Sequence, residues 1–199
     1  MKRISLVIII LITIIGITFW RTQVYSGPYL QQQCRVMMTT YVTIYAYGTK
    51  SVVSNAINHA FQRMQEVVDK FNAHNPGSPL YTFNQNGTPI KDEEIIKVVK
   101  TALDISKQSG GVFDVTVYPL VKLWGFYGEN LNQAPSQDKI TEALTHIGYN
   151  HLILANGELK RDREGIFIDL GGIAKGYVVG QGIEALKKAG VNSAIIQAG

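Results

Sequence analysis

The chain has 199 residues, 46% of them hydrophobic and 17% charged, with a formal net charge of +4. That balance suits one globular domain with an apolar appendage and excludes a disordered chain. The positive excess is N-terminal: setting aside Lys2, Arg3 and Arg21 leaves 16 basic against 15 acidic residues, so no basic stripe points to nucleic acid.

Ile4–Trp20 is interrupted only by Ser5, Thr13, Gly16 and Thr18. As a helix it would span roughly 26 Å, near the lower limit for crossing a bilayer. Lys2 and Arg3 precede it, and no small-x-small cleavage site follows. Residues 1–21 are therefore expected to form an uncleaved signal anchor, a transmembrane helix holding the rest on the extracytoplasmic face of the cell membrane. Residues 22–34, polar and carrying Gly27-Pro28 and three glutamines, read as a linker. Cys34 is the only cysteine. It excludes an internal disulfide and a cysteine zinc cluster and reads as a bystander thiol. The folded domain is expected over residues 35–199.

Arg35–Gly48 is rich in β-branched and aromatic residues and reads as one strand. Ser51–Phe71 carries Val53, Ile57, Phe61, Met64, Val67, Val68 and Phe71 at helical spacing, with Ser51 as N-cap. Asn72–Pro89 holds Asn-Pro-Gly-Ser-Pro and Asn-Gln-Asn-Gly and reads as a loop, with His74 in it either solvated or binding. Asp92–Ser109 is a second helix, capped by Asp92 and stopped by Gly110-Gly111. The run Val112–Phe126 combines four aromatic residues, Pro119 and Asp114. It makes either a flat apolar wall for a ring-shaped ligand or a core segment filled by Trp124 and Phe126. Ser136–Ile147 is a short third helix. His151–Leu154 and Leu159–Lys160 flank Asn156-Gly157, a hairpin signal.

Ile166–Gly180 is the most informative stretch. Ile166–Ile168 reads as a buried strand, and Asp169 stands at its end. Gly171-Gly172 permits a tight turn into a helix with Ile173, Tyr177, Ile183 and Leu186 on one face and Gly190 as its stop. Such a helix N-terminus is a ready site for phosphate. Lys175 could add a cation, and Asp169 an acceptor or metal ligand; a plain strand-to-helix turn is the alternative. Asn192–Gln197 is a final strand.

Four of these stretches together resemble the FAD:protein FMN transferase (ApbE-type) family, in the family's order: Met38–Ile44, Gly110–Thr116, Pro119–Phe126 and Asp169–Tyr177. The resemblance covers about Arg35 to Gly199. It implies an anchored extracytoplasmic enzyme that binds FAD and Mg²⁺, moves FMN to a Thr or Ser hydroxyl of a partner protein, and releases AMP. Carried over residue by residue, it makes Met38, His74, Val112, Phe113, Asp114, Asp169 and Lys175 cofactor contacts. It makes the Gly172 carbonyl a metal ligand, and Asp114 and Asp169 the carboxylates to test as catalytic base. Family members continue beyond Ala-Gly with further metal-binding and cofactor-binding segments that this sequence does not contain. A Mg²⁺-dependent FAD pyrophosphatase and a truncated, non-catalytic flavin-binding domain therefore stand beside the transferase. The expected fold is α+β, with helices on a mixed or antiparallel sheet, two lobes and a ligand cleft between them.

Overall fold

The structure is a computed structural model that describes residues 11–18, 29–128 and 133–199. Residues 11–18 are helical and exposed; the rest of the anchor expected over residues 1–21 lies outside the described residues. Among the described residues no helix is long and apolar enough to cross a membrane. In chain order the elements are β1 (Tyr29–Met37), β2 (Thr40–Gly48), α1 (Lys50–Lys70), α2 (Pro79–Asn86), α3 (Glu93–Gln108), α4 (Tyr118–Leu123) and α5 (Gln137–Leu144). A single 3₁₀ turn (Tyr149–His151), β3 (Leu152–Ala155), β4 (Glu158–Arg161), α6 (Gly171–Lys188) and β5 (Ser193–Ala198) follow. They form two compact units, Met1–Gln62 with Gly182–Gly199, and Arg63–Gln181.

The first unit holds a three-stranded sheet in the order β1-β2-β5, antiparallel at both pairings. Alternation along β2 sends Val42, Ile44 and Ala46 to a fully buried face, as the period of two requires. The stretch expected as one strand, Arg35–Gly48, is instead a hairpin with Met37 opposite Thr40. Its two-residue loop is Met38-Thr39, with φ of 52° and 61°. Two positive φ values match the twist of the flanking strands, yet the residues are not the Asn-Gly that signals such a turn. A β-branched Thr in this conformation is strained; its Oγ1 donates to the Met38 carbonyl at 2.6 Å. The linker expected over residues 22–34 gives way at Tyr29, because an edge strand paired on one side tolerates the polar Gln31–Gln33. In α1, Val53, Ala56, Ile57, Ala60 and Phe61 are buried. The Arg35 guanidinium lies 4.4 Å from the Phe61 ring centroid and donates to Asn58 at 2.8 Å.

The second unit is built from helices and the β3–β4 hairpin. Asn156 and Gly157 turn that hairpin with φ of 53° and 72°, as Asn-Gly predicts. Asp92 caps α3 by accepting from the Glu94 and Ile95 N–H groups. The loop expected over Asn72–Pro89 contains a helix, α2. Ser78 is its N-cap, accepting from the Tyr81 N–H at 2.9 Å, and Pro79 follows at the first helical position, where its missing N–H costs nothing. Leu80, Phe83 and Asn84 form its buried face.

Ile166 and Ile168 are buried, but the segment is not a strand. Its backbone bonds go to side chains. The Asn84 amide donates to the Ile168 carbonyl at 2.9 Å and accepts from the Ile168 N–H at 2.8 Å. The Arg161 guanidinium donates to the Ile166 carbonyl at 2.6 Å. β-branched composition reports burial in an extended backbone, and says nothing of whether a strand or a side chain supplies the partner.

A partly buried ionic cluster joins α1, α3 and α6 within this unit. Glu94 accepts from Arg63, from Lys70 at 2.8 Å and from the Tyr177 hydroxyl at 3.0 Å, and Lys70 also pairs with Asp92 at 2.9 Å. Burial alone would raise the Glu94 and Asp92 carboxyls, but the hydrogen bond from Lys70, joined at Glu94 by Tyr177 and Arg63, outweighs it and holds both below their ordinary values of 4.5 and 3.8. A lowered folded-state pKa gives stability that is complete above the unfolded value and drains away as pH falls through the folded one. Unfolding free energy is therefore expected to hold steady from pH 7 to 5 with respect to this cluster and to fall below about pH 4.5. Glu94→Gln should cost about 1–2 kcal/mol at pH 7 and flatten that acid limb in urea melts. Replacing Met38-Thr39 by Asn-Gly should raise stability by about 1 kcal/mol in the same assay, by relieving the positive φ values.

Candidate functional site

Asp169 sits where the extended segment meets α6. Its N–H donates to the Val115 carbonyl at 2.8 Å, and its Oδ1 accepts from the Gly171 N–H at 2.7 Å. Leu170 provides the first helical carbonyl, accepting from Ile173 and Ala174. Asp169 thus places a carboxylate on the positive end of an eighteen-residue helix, a favourable position for negative charge. Its Oδ2 accepts from the Tyr127 hydroxyl at 2.5 Å.

The second motif reaches the same place from α3. At that helix's end the Gly110 N–H donates to Lys107 and the Gly111 N–H to Ser106, with φ of 63° at Gly110, a Schellman stop that only glycine makes without strain. The Ser109 hydroxyl then accepts from the Phe113 N–H at 3.1 Å. Phe113 faces α6: a Cβ at Gly172 would lie 3.3 Å from its Cε2. Asp114 is held on both oxygens. Oδ1 accepts from the Thr116 N–H at 2.8 Å and hydroxyl at 2.6 Å, and Oδ2 from the Tyr149 N–H at 2.8 Å. Thr116 is fully buried and accepts from the Gly148 N–H at 2.8 Å.

Three rings meet beside Asp169. His74 lies 4.0 Å from Tyr127 and 5.9 Å from Tyr118, and Tyr118 lies 5.4 Å from Tyr127 and 5.7 Å from Phe167. His74 is placed by a braced loop: its N–H donates to Asn72 Oδ1, and Ser78 donates to the Asn72 carbonyl. Tyr127 is placed by a second Schellman stop, where the Gly125 N–H donates to Lys122 and the Phe126 N–H to Val121. Burial, then the bond to Asp169 and that residue's charge, push the Tyr127 phenol far above its ordinary value of 10.0. Burial, with the Asp169 charge behind it, also raises Tyr118. Trp124 and Phe126 do not fill a core: they are 45% and 77% exposed, because the stop at Gly125 turns the chain outward after α4.

The structure thus brings together His74, Phe113, Asp169 and Gly172, while Asp114, next to Phe113 in the chain, is engaged by Thr116 and Tyr149. Val112 is 91% exposed, and Lys175 is exposed with no ion pair among the described residues. Met38 belongs to the other unit. Sequence reasoning gives Tyr127 no role and places Asn84 in a loop. Tyr127 follows a Gly-Phe pair in what reads as a loop, and Asn84 lies in the missed helix, where the Ser-Pro start and the Leu80, Phe83, Asn84 spacing were the available signals. Among the described residues no group of three His, Cys, Asp or Glu could hold a metal.

The profile of the ApbE family matches residues 38–199. The chain belongs to the ApbE family. An ApbE relative named FAD:protein FMN transferase, from Vibrio cholerae, is 28% identical over 179 residues, covering 87% of this chain and 52% of its own length. A relative of the same name from Haemophilus influenzae is 28% identical, covering 83% and 51%. The crystal structure of the ApbE protein from Thermotoga maritima superposes with a TM-score of 0.78 at 28% identity, covering 86% of this chain and 57% of that one. The chain spans about half the length of the curated relatives it matches.

Asn84 holds the segment that carries Asp169. Asn84→Ala leaves the buried Ile168 N–H and carbonyl without partners, and is expected to cost about 2–4 kcal/mol in a denaturant melt.

Proposed function

We propose that this chain is the FAD-binding part of an ApbE-type FAD:protein FMN transferase, which moves FMN from FAD to a Thr or Ser hydroxyl of an acceptor protein with release of AMP. The observation that carries the reading is Asp169, a carboxylate on the N-terminal end of α6 with a tilted aromatic wall of His74 and Tyr127 at its side and Tyr118 buried against both. The wall suits a planar ring, and the helix end suits pyrophosphate. The transferase name of the relatives supports the same reaction.

In this reading the acceptor hydroxyl oxygen bonds to the phosphorus on the FMN side of the pyrophosphate. The bond from that phosphorus to the bridging oxygen breaks, and AMP leaves with the electron pair. The hydroxyl proton passes to a carboxylate. Of the two candidates, Asp169 suits the task better. Asp114 spends its oxygens on Thr116 and Tyr149, which makes it the pin that holds the Val112–Thr116 segment against the Gly148–Tyr149 turn. Val112 and Phe113 then supply apolar contact, His74 stacks on a ring and Lys175 meets a phosphate, as the family resemblance implies.

Magnesium takes oxygen donors, often only one or two from the protein, and completes its shell with phosphate and water. The Gly172 carbonyl is a donor of that kind and would help hold such an ion. When bound, it neutralises pyrophosphate charge. We read residues 1–21 as a membrane anchor that sets the site on the extracytoplasmic face, on the strength of Lys2, Arg3 and the apolar run behind them.

The test is AMP release from FAD by the full chain with Mg²⁺, with and without an acceptor peptide carrying Thr. The transferase reading expects AMP in step with flavinylated peptide, and at least a hundredfold loss in Asp169→Ala, about what removing a catalytic base costs. AMP without need of peptide would favour the pyrophosphatase. Saturable FAD binding without AMP would make the chain a non-catalytic flavin-binding part.

A further inference from the structure

Tyr127 is not used by the reaction described above, yet it is the residue that touches the most of the site. Its hydroxyl donates to Asp169 Oδ2 at 2.5 Å. Its ring centroid is 4.0 Å from that of His74, the planes tilted by 60°, and 5.4 Å from that of Tyr118. It is 36% exposed, and beside its packing against two rings its hydroxyl makes the polar contact to Asp169. A carboxylate can rotate about its terminal torsion unless both oxygens are engaged. Gly171 engages Oδ1 at 2.7 Å, and Tyr127 engages Oδ2.

We propose that Tyr127 is the positioning residue of this site, fixing the Asp169 carboxylate by its hydroxyl while its ring joins His74 in the wall that receives a planar ligand. Each carboxylate oxygen accepts about two hydrogen bonds. With one site on each oxygen taken by Gly171 and Tyr127, Asp169 keeps one on each for an incoming donor, in a fixed direction. The ligand class is a planar heteroaromatic ring with an N–H or amino group on its edge, stacked on the wall while that edge donates to Asp169. Taking that ring as part of FAD rests on the function proposed above. The positioning role itself does not, because it is a property of three side chains and one backbone N–H within the unit.

The experiment compares the full wild-type chain with Tyr127→Phe, Asp169→Ala and the double variant. Two readouts are taken: amide exchange of Gly171 by NMR, and FAD binding by quenching of flavin fluorescence. Tyr127→Phe keeps the ring and removes one hydrogen bond to a charged group. The expected result is Gly171 exchange about tenfold faster and an FAD Kd about tenfold higher. The double variant should lose no more than Asp169→Ala alone, since the hydroxyl acts through that carboxylate. Unchanged Gly171 exchange in Tyr127→Phe overturns the proposal whether or not FAD binds, and so do losses that add in the double variant. Faster exchange spread along the whole of α6 marks a merely structural residue and also overturns it. Faster exchange confined to Gly171, in a wild-type chain that binds no FAD, upholds the positioning role and removes the flavin reading alone.

Discussion

Two hydrogen bonds from one amide side chain decide where Asp169 stands. Ile168 is itself fully buried and pairs with no strand among the described residues, so its N–H and carbonyl need partners from elsewhere. Asn84, itself 1% exposed, supplies both, at 2.8 and 2.9 Å. A side-chain amide has a donor and an acceptor side by side, and so can mimic a strand edge one residue wide. With the Arg161 bond to the Ile166 carbonyl and the Asp169 bond to the Val115 carbonyl, it fixes the segment from which the Asp169 bend, the start of α6 and the approach of Phe113 to Gly172 take their reference. The cap at Ser78, which starts the helix carrying Asn84, belongs to the same chain of dependence.

The two carboxylates of the neighbourhood illustrate how hydrogen-bond bookkeeping separates structural from chemical groups. Asp114 accepts from three donors, two on Thr116 and one on Tyr149, and so closes a loop. Asp169 accepts from one backbone N–H and one exposed phenol, and is left half-buried at a helix end. The same residue type is fully engaged as a fastener in one place and keeps acceptor capacity in the other. The cause is the number of donors around each carboxylate.

Much of this was legible in the sequence where local chemistry decides the outcome. Asp92 announces a helix start, Asn156-Gly157 a hairpin, Gly110-Gly111 a helix stop, and the spacing in α1 a buried face. The Asp-Leu-Gly-Gly run did open a helix with its carboxylate at the positive end. What failed to show was set by tertiary partners. Ile166–Ile168 has strand composition and side-chain partners. Met38-Thr39 turns a hairpin because the register of two strands imposes it, against the preference of both residues. Trp124 and Phe126 are apolar and exposed, because a glycine stop ends the helix before them. Tyr127 carries no local signal at all, since its role depends on a carboxylate brought to it from far along the chain.

The first unit is split in sequence, with β1 and β2 near one end and β5 near the other, and the whole second unit between them. Synthesis on a ribosome delivers these pieces in that order. Residues 63–181 are complete before β5 exists, so the inner unit can acquire its structure while β2 still waits for its antiparallel partner. A two-stranded hairpin is marginal on its own, and its unpaired edge is open to wrong partners. The nascent chain therefore has a defined window of vulnerability, which opens when Gly48 emerges and closes when Ala198 does. Pauses in translation within the second unit lengthen that window, and rapid passage through it shortens it.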